Sequence, residues 1–539
     1  MGEEETFSQE EREILRPFVS TLEGDVFVLT NLPEVIKGAL FSRYSRAQKG
    51  IRKLLLDEFI LNPDLGIVHV KGFAQDNVLA VKKAQEFYDR VLDGFGDDSI
   101  GELGVAHIAI ENISMYATKV IEDCRIGGSP LEKSSRYVLF NKKINGSYQY
   151  YKDPAIMASD LAEEYVRIND LLFDTYSELV EPMTKFFTDR TPQQEGVPDA
   201  AYKASVRAQA LDSIRALLPL CALTNMGMFG NGRFFETALM KLRVHQMAEL
   251  SQLGASMHAE LDKVIPSFVR RAWPDNKHFG PFRSYHAGVR DGMADLARQV
   301  VEPMNHCEEV TLVSYDAHAE NKTLAVMLYP YLKLPLAQLV RIVEMMGPDR
   351  KKELIARYIG DRTNRRHKPG RALEIPTYTF DICSNYGVYK DLERHRILTQ
   401  EKQEISALHG YEVPLDIIRA GHEIKFREAM DEVKPAWEKI AARFPREAQY
   451  VVPQGYKIRW YMHANLRALM WLCELRSIPQ GHPDYRKVAQ KMAQRIIEVH
   501  PAFSDALKFV DMEDYSLGRL AQEIKAAKKK QSLPQPVQK

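Results

Sequence analysis

Residues 374–397 read EIPTYTFDICSNYGVYKDLERHRI, and this stretch decides the fold that we expect. Its aromatic and β-branched segment at 378–382 predicts a strand, which follows Glu374 and precedes a cationic triplet ending at Arg396. Residues 102–126, ELGVAHIAIENISMYATKVIEDCRI, show the same order of glutamate, apolar stretch and arginine. Glu102 and Arg125 are 23 residues apart, and Glu374 and Arg396 are 22 apart. The agreement indicates two copies of one unit.

Further markers flank both copies at similar distances. RYS at 43–45 and VSY at 313–315 precede the two glutamates, with 57 residues from Ser45 to Glu102 and 60 from Ser314 to Glu374. A Leu-Arg pair ending at Arg243 or at Arg476 closes a later helix in each copy. The copies then diverge, because 118 residues separate Arg125 from Arg243 but only 80 separate Arg396 from Arg476. We expect duplication and fusion, with an insertion at 150–205 in the first copy.

The composition is that of an ordinary globular protein with more than one domain. The 539 residues are 45% hydrophobic and 27% charged, and 73 basic residues balance 73 acidic ones. Zero net charge offers no general attraction for nucleic acid or a membrane surface. The five cysteines are widely spaced, which indicates a reducing compartment and no zinc site. Because no apolar run approaches a membrane span and the N-terminus is acidic, we expect a cytoplasmic protein.

Helical periodicity prevails, and short strands are predicted at 137–140, 310–313 and 378–382, so the fold class is α+β. A Pro/Gly/aromatic stretch at 273–285 indicates a linker. The tail from Lys525 is basic and then Gln/Pro-rich, and we expect it to be mobile. The predicted organisation is an N-terminal extension (1–29), a first repeat (30–270), a linker region (271–304), a second repeat (305–510) and a mobile tail (511–539).

Arg394, His395 and Arg396 form the densest cationic group. Two guanidiniums and an imidazole can hold a pyrophosphate or polarise an electron-rich ring. The alternative is a solvated helix face whose charges pair with three nearby carboxylates, Asp391, Glu393 and Glu401.

Glu132, Ser134 and Arg136 alternate along the chain and would share one face of an extended segment. An acceptor, a hydroxyl and a guanidinium fork together suit a nucleoside monophosphate. An exposed strand edge with solvated charges explains the same pattern equally well.

Polar residues also accompany the last strong amphipathic helix, where a ligand cleft is common. They are Asn465, Arg467, Arg476 and His482, and the comparable first-half positions are Arg215 and Arg243. Ordinary surface residues at a helix end are the alternative.

A basic loop surrounds Pro369-Gly370, and it is the best candidate for contact with nucleic acid. It contains Arg362, Arg365, Arg366, His367, Lys368 and Arg371. It lacks interleaved aromatic residues on which bases could stack, so phosphate binding or simple solvation is favoured over nucleic acid. The fingerprints GxGxxG, GxxxxGK[ST], GxSxG and HExxH do not occur at credible positions.

These motifs resemble the flavin-dependent thymidylate synthases, the ThyX family, whose signature is RHR followed by S-x-N-E-x-S-x-R. The second half supplies YTFDI, RHR, NLRAL and LCELR, and the first half supplies DDSIGEL, CRIGGSPLEKSSRYV, SIRALLP and MKLR in the same order. The resemblance implies a long, fused form with two degenerate ThyX-like units, each helix-rich with a small, mainly antiparallel sheet.

The degeneracy of the two halves is complementary. In the first half the RHR positions read Asp123, Cys124 and Arg125, whereas the E-x-S-x-R residues survive. In the second half RHR survives, whereas the later signature positions include Lys402, Glu404 and Ser406. The remaining differences concern single positions. Arg215 stands against Gln449, and in an ungapped reading Asn465 and Arg467 stand against Gly232 and Phe234, with Arg233 nearby. The family's HxSxxEH histidine reads Asp97 in the first half and is displaced around His367 in the second.

The resemblance implies reductive methylation of dUMP to dTMP with FAD as cofactor and with methylenetetrahydrofolate and NADPH as cosubstrates. It assigns catalytic roles to Arg394, Arg396 and Arg243, and no metal. The flavin would contact Arg394, His395, Arg396, Asn465, Arg467 and His482, and the nucleotide would contact Glu132, Ser134, Arg136, Arg215, Arg243 and Arg476. A homodimer of fused chains would replace the family's homotetramer. The alternative is a flavin- or nucleotide-binding paralogue that modifies another pyrimidine or has a regulatory or structural role.

Overall fold

The computed structural model describes residues 6–44, 47–61, 101–300, 302–303, 308–515 and 517–532. The chain divides into two compact units. The first comprises Met1–Ile113, Val120–Glu132 and Thr224–Pro303, and the second comprises Ser114–Lys119, Lys133–Leu223 and Met304–Lys539. The second unit therefore combines two segments of the first sequence repeat with the whole described part of the second repeat. The domain boundaries derived from the sequence stay a prediction.

Nine strands form three small sheets in the described part of the chain. In chain order they are β1 Val105–Ser114, β2 Gly128–Glu132, β3 Lys143–Ile144, β4 Ser147–Tyr148, β5 Leu223–Asn231, β6 Val310–Tyr315, β7 Thr377–Asn385, β8 Thr399–Lys402 and β9 Lys457–Asn465. The sheet orders are β1-β5-β2, β3-β4 and β6-β7-β9-β8. The pairs β2/β5, β6/β7, β7/β9 and β8/β9 are antiparallel. The predicted α+β class is confirmed, as are the strands predicted at 310–313 and 378–382.

The duplication is visible in the order of strands and helices. β1, β2 and β5 correspond to β7, β8 and β9, because each set is arranged with its last strand in the middle. A helix follows the first and the last strand of each set: Met115–Glu122, Gly232–Arg243, Tyr386–Leu392 and Leu466–Arg476. At each junction the side-chain oxygen of Ser114, Asn231, Asn385 or Asn465 accepts a hydrogen bond from the backbone N–H three residues later. Such N-caps satisfy donors that lack a partner inside the helix, which ends the strand and starts the helix.

Two equivalent segments of the repeats pair with each other inside the second unit. Pro219 forms an antiparallel bridge with Pro453. The amide of Leu220 donates to the carbonyl of Val452 at 3.0 Å, and the amide of Gln454 donates to the carbonyl of Leu218 at 3.0 Å. This pairing fixes the chain just after Arg215 against the second repeat.

The other helices make the fold helix-rich. In the first unit they are Gln9–Leu15, Glu34–Tyr44, Ile51–Leu54, Ala248–Leu261, Pro266–Val269 and Phe279–Ala297. In the second unit they are Pro154–Met157, Ala162–Arg190, Asp199–Ile214, Ala319–Leu328, Leu336–Glu344, Pro348–Ile359, Leu415–Arg419, Glu423–Asp431, Val433–Ala441, Pro483–Val499 and Leu520–Ser532. The first copy has two long helices, Ala162–Arg190 and Asp199–Ile214, where the second has the three short helices between 415 and 441. This difference agrees with the insertion expected at 150–205.

Alternating burial along β7 and β9 places one face of their sheet in the core. Tyr378, Phe380 and Ile382 on β7 are completely buried, and Trp460 and Met462 on β9 are buried beside them. Period-two alternation of this kind is what fixes the register of a strand, because a slip of one residue would expose the apolar set.

Two expectations about local structure were wrong. The markers RYS and VSY are not equivalent, since Arg43 and Tyr44 end a helix whereas 313–315 lie in β6; Ser45 lies outside the described residues. Residues 137–140 are not a strand, because the chain turns after Glu132. The predicted linker region contains the helix Phe279–Ala297, and the predicted tail contains the helix Leu520–Ser532, while 533–539 lie outside the described residues. The linker and the mobile tail stay predictions.

Candidate functional site

A carboxylate of the second unit, Asp391, lies among arginines from both sequence repeats. The Arg215 guanidinium Nη2 lies 3.2 Å from Asp391 Oδ2, and the Arg215 side chain is 4% exposed. Burial by itself would raise the pKa of Asp391, but Arg215, Arg136, Arg476 and Arg394 hold that pKa well below its usual range. Asp391 is therefore an anion at neutral pH and a common centre for these four cations.

A second carboxylate, Asp212, holds Arg136. Arg136 donates from Nε and from Nη2 to the two carboxylate oxygens of Asp212, both at 2.5 Å. Burial opposes the charge on Arg136, but the charge of Asp212 and its hydrogen bonds outweigh burial and raise the pKa of Arg136. The pair has the fork geometry that makes arginine suited to carboxylates and phosphates.

Local structure explains how Arg136 reaches Asp212. The chain leaves β2 at Glu132 and turns, and the Ser134 hydroxyl accepts a hydrogen bond from the Arg136 amide at 3.3 Å. Glu132 belongs to the first unit and is buried, whereas Ser134 and Arg136 belong to the second. The expectation that Glu132, Ser134 and Arg136 share one face of an extended segment is therefore wrong, because the segment is extended only as far as Glu132.

Two histidines of this cluster are neutral. Burial, followed by the charge of Arg476, lowers the pKa of His395 well below its usual value, and Arg476 Nε donates to His395 Nε2 at 2.9 Å. Burial is also the main cause of the lowered pKa of His482. His482 Nδ1 accepts from the Asp484 amide at 3.2 Å, so its proton is on Nε2, which lies 3.1 Å from the Asp212 carbonyl.

The charges of the arginines and carboxylates in this cluster do not cancel. Arg136, Arg215, Arg394 and Arg476 contribute four positive charges and the two carboxylates contribute two negative ones, while both histidines are neutral. A cavity of about 560 Å³ lies beside this cluster within the second unit, and its lining includes Asp212, Arg215, Gly387, Gln454 and His482. The cavity wall carries both signs of charge, with four basic side chains (Arg190, Arg215, Arg419 and Lys487) and five acidic ones (Asp212, Glu412, Asp416, Asp484 and Asp514). A small anionic ligand in a cavity of this size would therefore be held by Arg215 and the neighbouring arginines rather than by the wall as a whole.

The structure places the other predicted site residues in different surroundings. Arg243 belongs to the first unit, where its Nη1 lies 3.3 Å from His258 Nδ1 and its guanidinium lies over the Trp273 ring. Arg394 and Arg396 are exposed at the turn that follows the helix Tyr386–Leu392. Arg243 is thus not among the residues that surround Asp391 within the second unit.

Asn465 and Arg467 are engaged within the protein. The Asn465 side chain caps the helix Leu466–Arg476, and Arg467 donates to Glu374 at 2.8 Å and to the Pro369 carbonyl at 2.9 Å. Whether they also contact a flavin stays a prediction.

The first-half counterparts of Asn465 and Arg467 are Asn231 and Arg233. Asn231 caps its helix as Asn465 does, and Arg233 pairs with Glu102 at 3.0 Å, as Arg467 pairs with Glu374. The counterparts assigned from sequence, Gly232 and Phe234, were therefore wrong: both strand-to-helix junctions keep the N-x-R residues. The paired glutamates also support the marker equivalence of Glu102 and Glu374.

The basic loop at 362–371 is not a continuous exposed surface. Arg362 is 3% exposed and donates to both carboxylate oxygens of Glu474, at 2.8 and 2.6 Å. The Lys368 ammonium lies over the Trp471 ring, 4.3 Å from its centre. Arg362 is therefore a structural residue, which removes one cation from the loop considered for nucleic acid.

The sequence reasoning missed Asp212 and Arg519. Asp212 lies one helical turn before Arg215, and this spacing is the signal that could have found it. No signal pointed to Arg519, because it belongs to a segment that looked too polar to be ordered.

Other classes of site are less well supported. Among the residues that the structure describes, no three His, Cys, Asp or Glu side chains group as metal ligands would. The four described cysteines, Cys124, Cys221, Cys383 and Cys473, are not in disulfides. No helix in the described ranges is both long and apolar enough to cross a membrane.

The fold defines a two-copy α+β protein, and comparison with known proteins shows its family. The family model described as "Thymidylate synthase complementing protein" (Thy1) matches residues 66–267 and 311–502. These two segments cover more than half of the chain, one in each predicted repeat. The chain belongs to this family.

Curated relatives from Chlamydia and Thermoplasma match over nearly all of their own length. A UPF0159 protein of Chlamydia muridarum is 46% identical over 97% of this chain and 99% of its own length. A UPF0159 protein of Chlamydia pneumoniae is 45% identical over the same shares. A UPF0159 protein of Thermoplasma acidophilum is 32% identical over 91% of this chain and 98% of its own length.

A solved structure of ThyX from Helicobacter pylori with FAD and dUMP is also similar. It is 20% identical and covers 37% of this chain and 100% of its own, with a TM-score of 0.28. A likeness at this level carries no conclusion about the present site.

Proposed function

We propose that this protein is an FAD-dependent thymidylate synthase-like enzyme that converts dUMP to dTMP with methylenetetrahydrofolate and NADPH. The observation that carries the proposal is that Arg215 from the first repeat lies 3.2 Å from Asp391 of the second, whose charge is also stabilised by Arg136 from the first repeat and by Arg394 and Arg476 from the second. The family signature is divided between the repeats; the second unit contains Ser134, Arg136 and the RHR residues, whereas Glu132 and Arg243 belong to the first unit. We also propose that the protein acts in the cytoplasm as a homodimer.

The cluster fits the phosphate of a nucleoside monophosphate. Arg136 presents a planar fork that now holds Asp212, and a phosphate can accept from the same two donors. Arg215 lines the cavity next to it, together with His482 and Gly387. The net positive charge of the cluster would compensate a phosphate dianion, which an evenly charged surface could not do.

The fit of a flavin rests on fewer residues. Arg394 and Arg396 are exposed and could bind its pyrophosphate, and the partly exposed His395 lies between them in sequence. When bound, a reduced flavin supplies hydride. The chain's own arginines would orient the pyrimidine and stabilise negative charge that develops on its ring.

A non-catalytic, nucleotide-binding protein is the alternative. It is favoured by the carboxylates that already occupy the two buried arginines: Asp212 on Arg136 and Asp391 on Arg215. A ligand must compete with these carboxylates, and a protein that only senses nucleotide could use such competition.

Flavin and product measurements separate the two functions. We expect protein loaded with FAD and dialysed to keep the visible absorbance of bound flavin, and to release tritium from dUMP labelled at C5. The Arg394→Ala, Arg396→Ala double variant should lose the flavin absorbance, whereas Arg357→Ala, which removes an exposed arginine paired with Glu353, should keep it. Bound nucleotide without flavin under any loading condition would reject the enzyme and support the alternative.

The number of nucleotide sites gives a further prediction: one dUMP per chain. Gln449 replaces Arg215 in the second copy and is buried, and its amide is already used, accepting from the Ile405 amide at 2.9 Å and donating to the Arg446 carbonyl at 3.0 Å. It offers no charge to a phosphate. Calorimetric titration should therefore saturate at one nucleotide per chain, and saturation at two would show that the second copy has kept its own site.

A further inference from the structure

Arg519 is a buried cation beside the proposed nucleotide site, and it lies beyond the segments that match the family. Its side chain is 8% exposed and its Nη2 lies 3.7 Å from Asp212 Oδ2. Its guanidinium also lies over the Tyr137 ring, 5.0 Å from the centre. Within the described part of the chain, Arg519 Nη1 has no hydrogen-bond partner. A buried, unpaired guanidinium donor is costly and calls for an explanation.

The position of Arg519 is fixed by close packing of the preceding residue. A Cβ on Gly518 would lie 1.9 Å from the Pro479 carbonyl oxygen, so only glycine allows this approach. Pro479 belongs to the loop that leads to His482, whose Nε2 contacts the Asp212 carbonyl. The C-terminal segment therefore docks on the same loop that supports Asp212.

Within the described part of the chain, Asp212 is the only residue that forms an ion pair with both Arg136 and Arg519. It binds Arg136 through two hydrogen bonds and touches Arg519 only at ion-pair distance. If a ligand phosphate takes the Arg136 fork, Asp212 loses both hydrogen bonds and becomes a buried anion in need of a donor. Arg519 is already ion-paired with Asp212, and its Nη1 is a buried donor without a hydrogen-bond partner among the described residues.

We infer that Arg519 receives Asp212 when a phosphate monoester displaces it from Arg136, so that Arg519 is a positioning residue for binding of the nucleotide phosphate. The inference rests on the proposed function, because it takes a nucleoside monophosphate as the ligand. It assigns to the C-terminal segment a role in ligand affinity that the family segments do not contain.

The test compares dUMP with deoxyuridine, which lacks the phosphate, on the full-length protein. We expect Arg519→Ala to weaken dUMP binding about tenfold or more in calorimetry, because a charge-assisted hydrogen bond is lost in the bound state. Deoxyuridine binding should not change. Arg519→Lys should restore part of the loss, since it returns the charge but not the fork.

Two further variants keep the test independent of folding. Lys525→Ala removes an exposed cation from the helix that follows Arg519 and should leave dUMP affinity unchanged. Gly518→Ala keeps Arg519 but forces its segment away from Pro479, so it should weaken dUMP as Arg519→Ala does. Unchanged dUMP affinity in Arg519→Ala, or equal weakening of dUMP and deoxyuridine, would overturn the inference.

The proposed substrate and the role of Arg519 can fail separately. Wild-type protein that binds UMP or dCMP but not dUMP rejects the substrate, and the same variants measured with that nucleotide then decide on Arg519. Wild-type protein that binds none of these monophosphates rejects both.

Discussion

The Arg362→Met variant is expected to lose about 3–5 kcal/mol of unfolding free energy, which is the usual cost of breaking a buried ion pair by removing one partner. Arg362 and Glu474 have side chains that are 2% and 0% exposed. Arg362 also donates to the carbonyls of His367 and Ala506, each at 2.6 Å. Its removal would leave the Glu474 carboxylate buried without a cation and two carbonyls without their donor.

The dependence on pH distinguishes this cause from a loss of packing. Burial raises the pKa of Glu474, and the Arg362 hydrogen bonds only partly oppose this effect. A carboxyl whose folded pKa exceeds its unfolded value binds more protons in the folded state, so its contribution to stability falls as pH rises through that range. Without Arg362 the pKa should rise further. The deficit of the variant should therefore shrink as the pH is lowered from neutral.

Urea unfolding of the wild type and the variant over a range of pH measures both effects. Arg357→Met is the matched control, because Arg357 is 79% exposed and pairs with Glu353 within one helix. Such exposed pairs contribute about 0.3–0.5 kcal/mol. Equal effects of the two substitutions would show that the pair with Glu474 does not stabilise the fold.

The second large effect is expected for Asp391→Asn, with a loss of about 3–5 kcal/mol at neutral pH. Asp391 is the nearest partner of Arg215 and lies among three further arginines. Asparagine keeps the shape but removes the charge, so four guanidiniums would repel one another around a neutral amide.

The contribution of Asp391 to wild-type stability changes with pH in the opposite direction to that of Glu474. The pKa of Asp391 is held below its unfolded value, so its contribution is present above about pH 4 and is lost as the pH falls below that value. The difference between wild type and Asp391→Asn should therefore be largest at neutral pH and shrink in acid. Asp160→Asn is the control, because Asp160 is 81% exposed in its pair with Arg443. A variant as stable as the wild type at neutral pH would show that Asp391 does not hold the arginines together.

Much of the fold could be predicted because it depends on local pattern. The alternation at 377–385 and the capping asparagines are readable along the chain, and the repeated order of glutamate, strand and arginine identified the two copies. The predicted strand at 137–140 failed for the opposite reason. Its residues favour a strand, but the chain forms a turn here instead. In this turn the Arg136 amide donates to the Ser134 hydroxyl, and the Arg136 side chain donates to Asp212.

The sequence by itself determined the α+β class, the duplication, the family and the division of the signature between the copies. Which charged side chains form ion pairs depends on the tertiary structure alone. Arg136 and Asp212 are 76 residues apart, and Arg215 and Asp391 are 176 apart, so no local pattern links them. It also buried Arg362 and Arg519, which look like solvated residues in the sequence. The reason is physical: spacing along a chain fixes the faces of helices and strands, whereas the partner of a buried charge depends on which distant faces pack together.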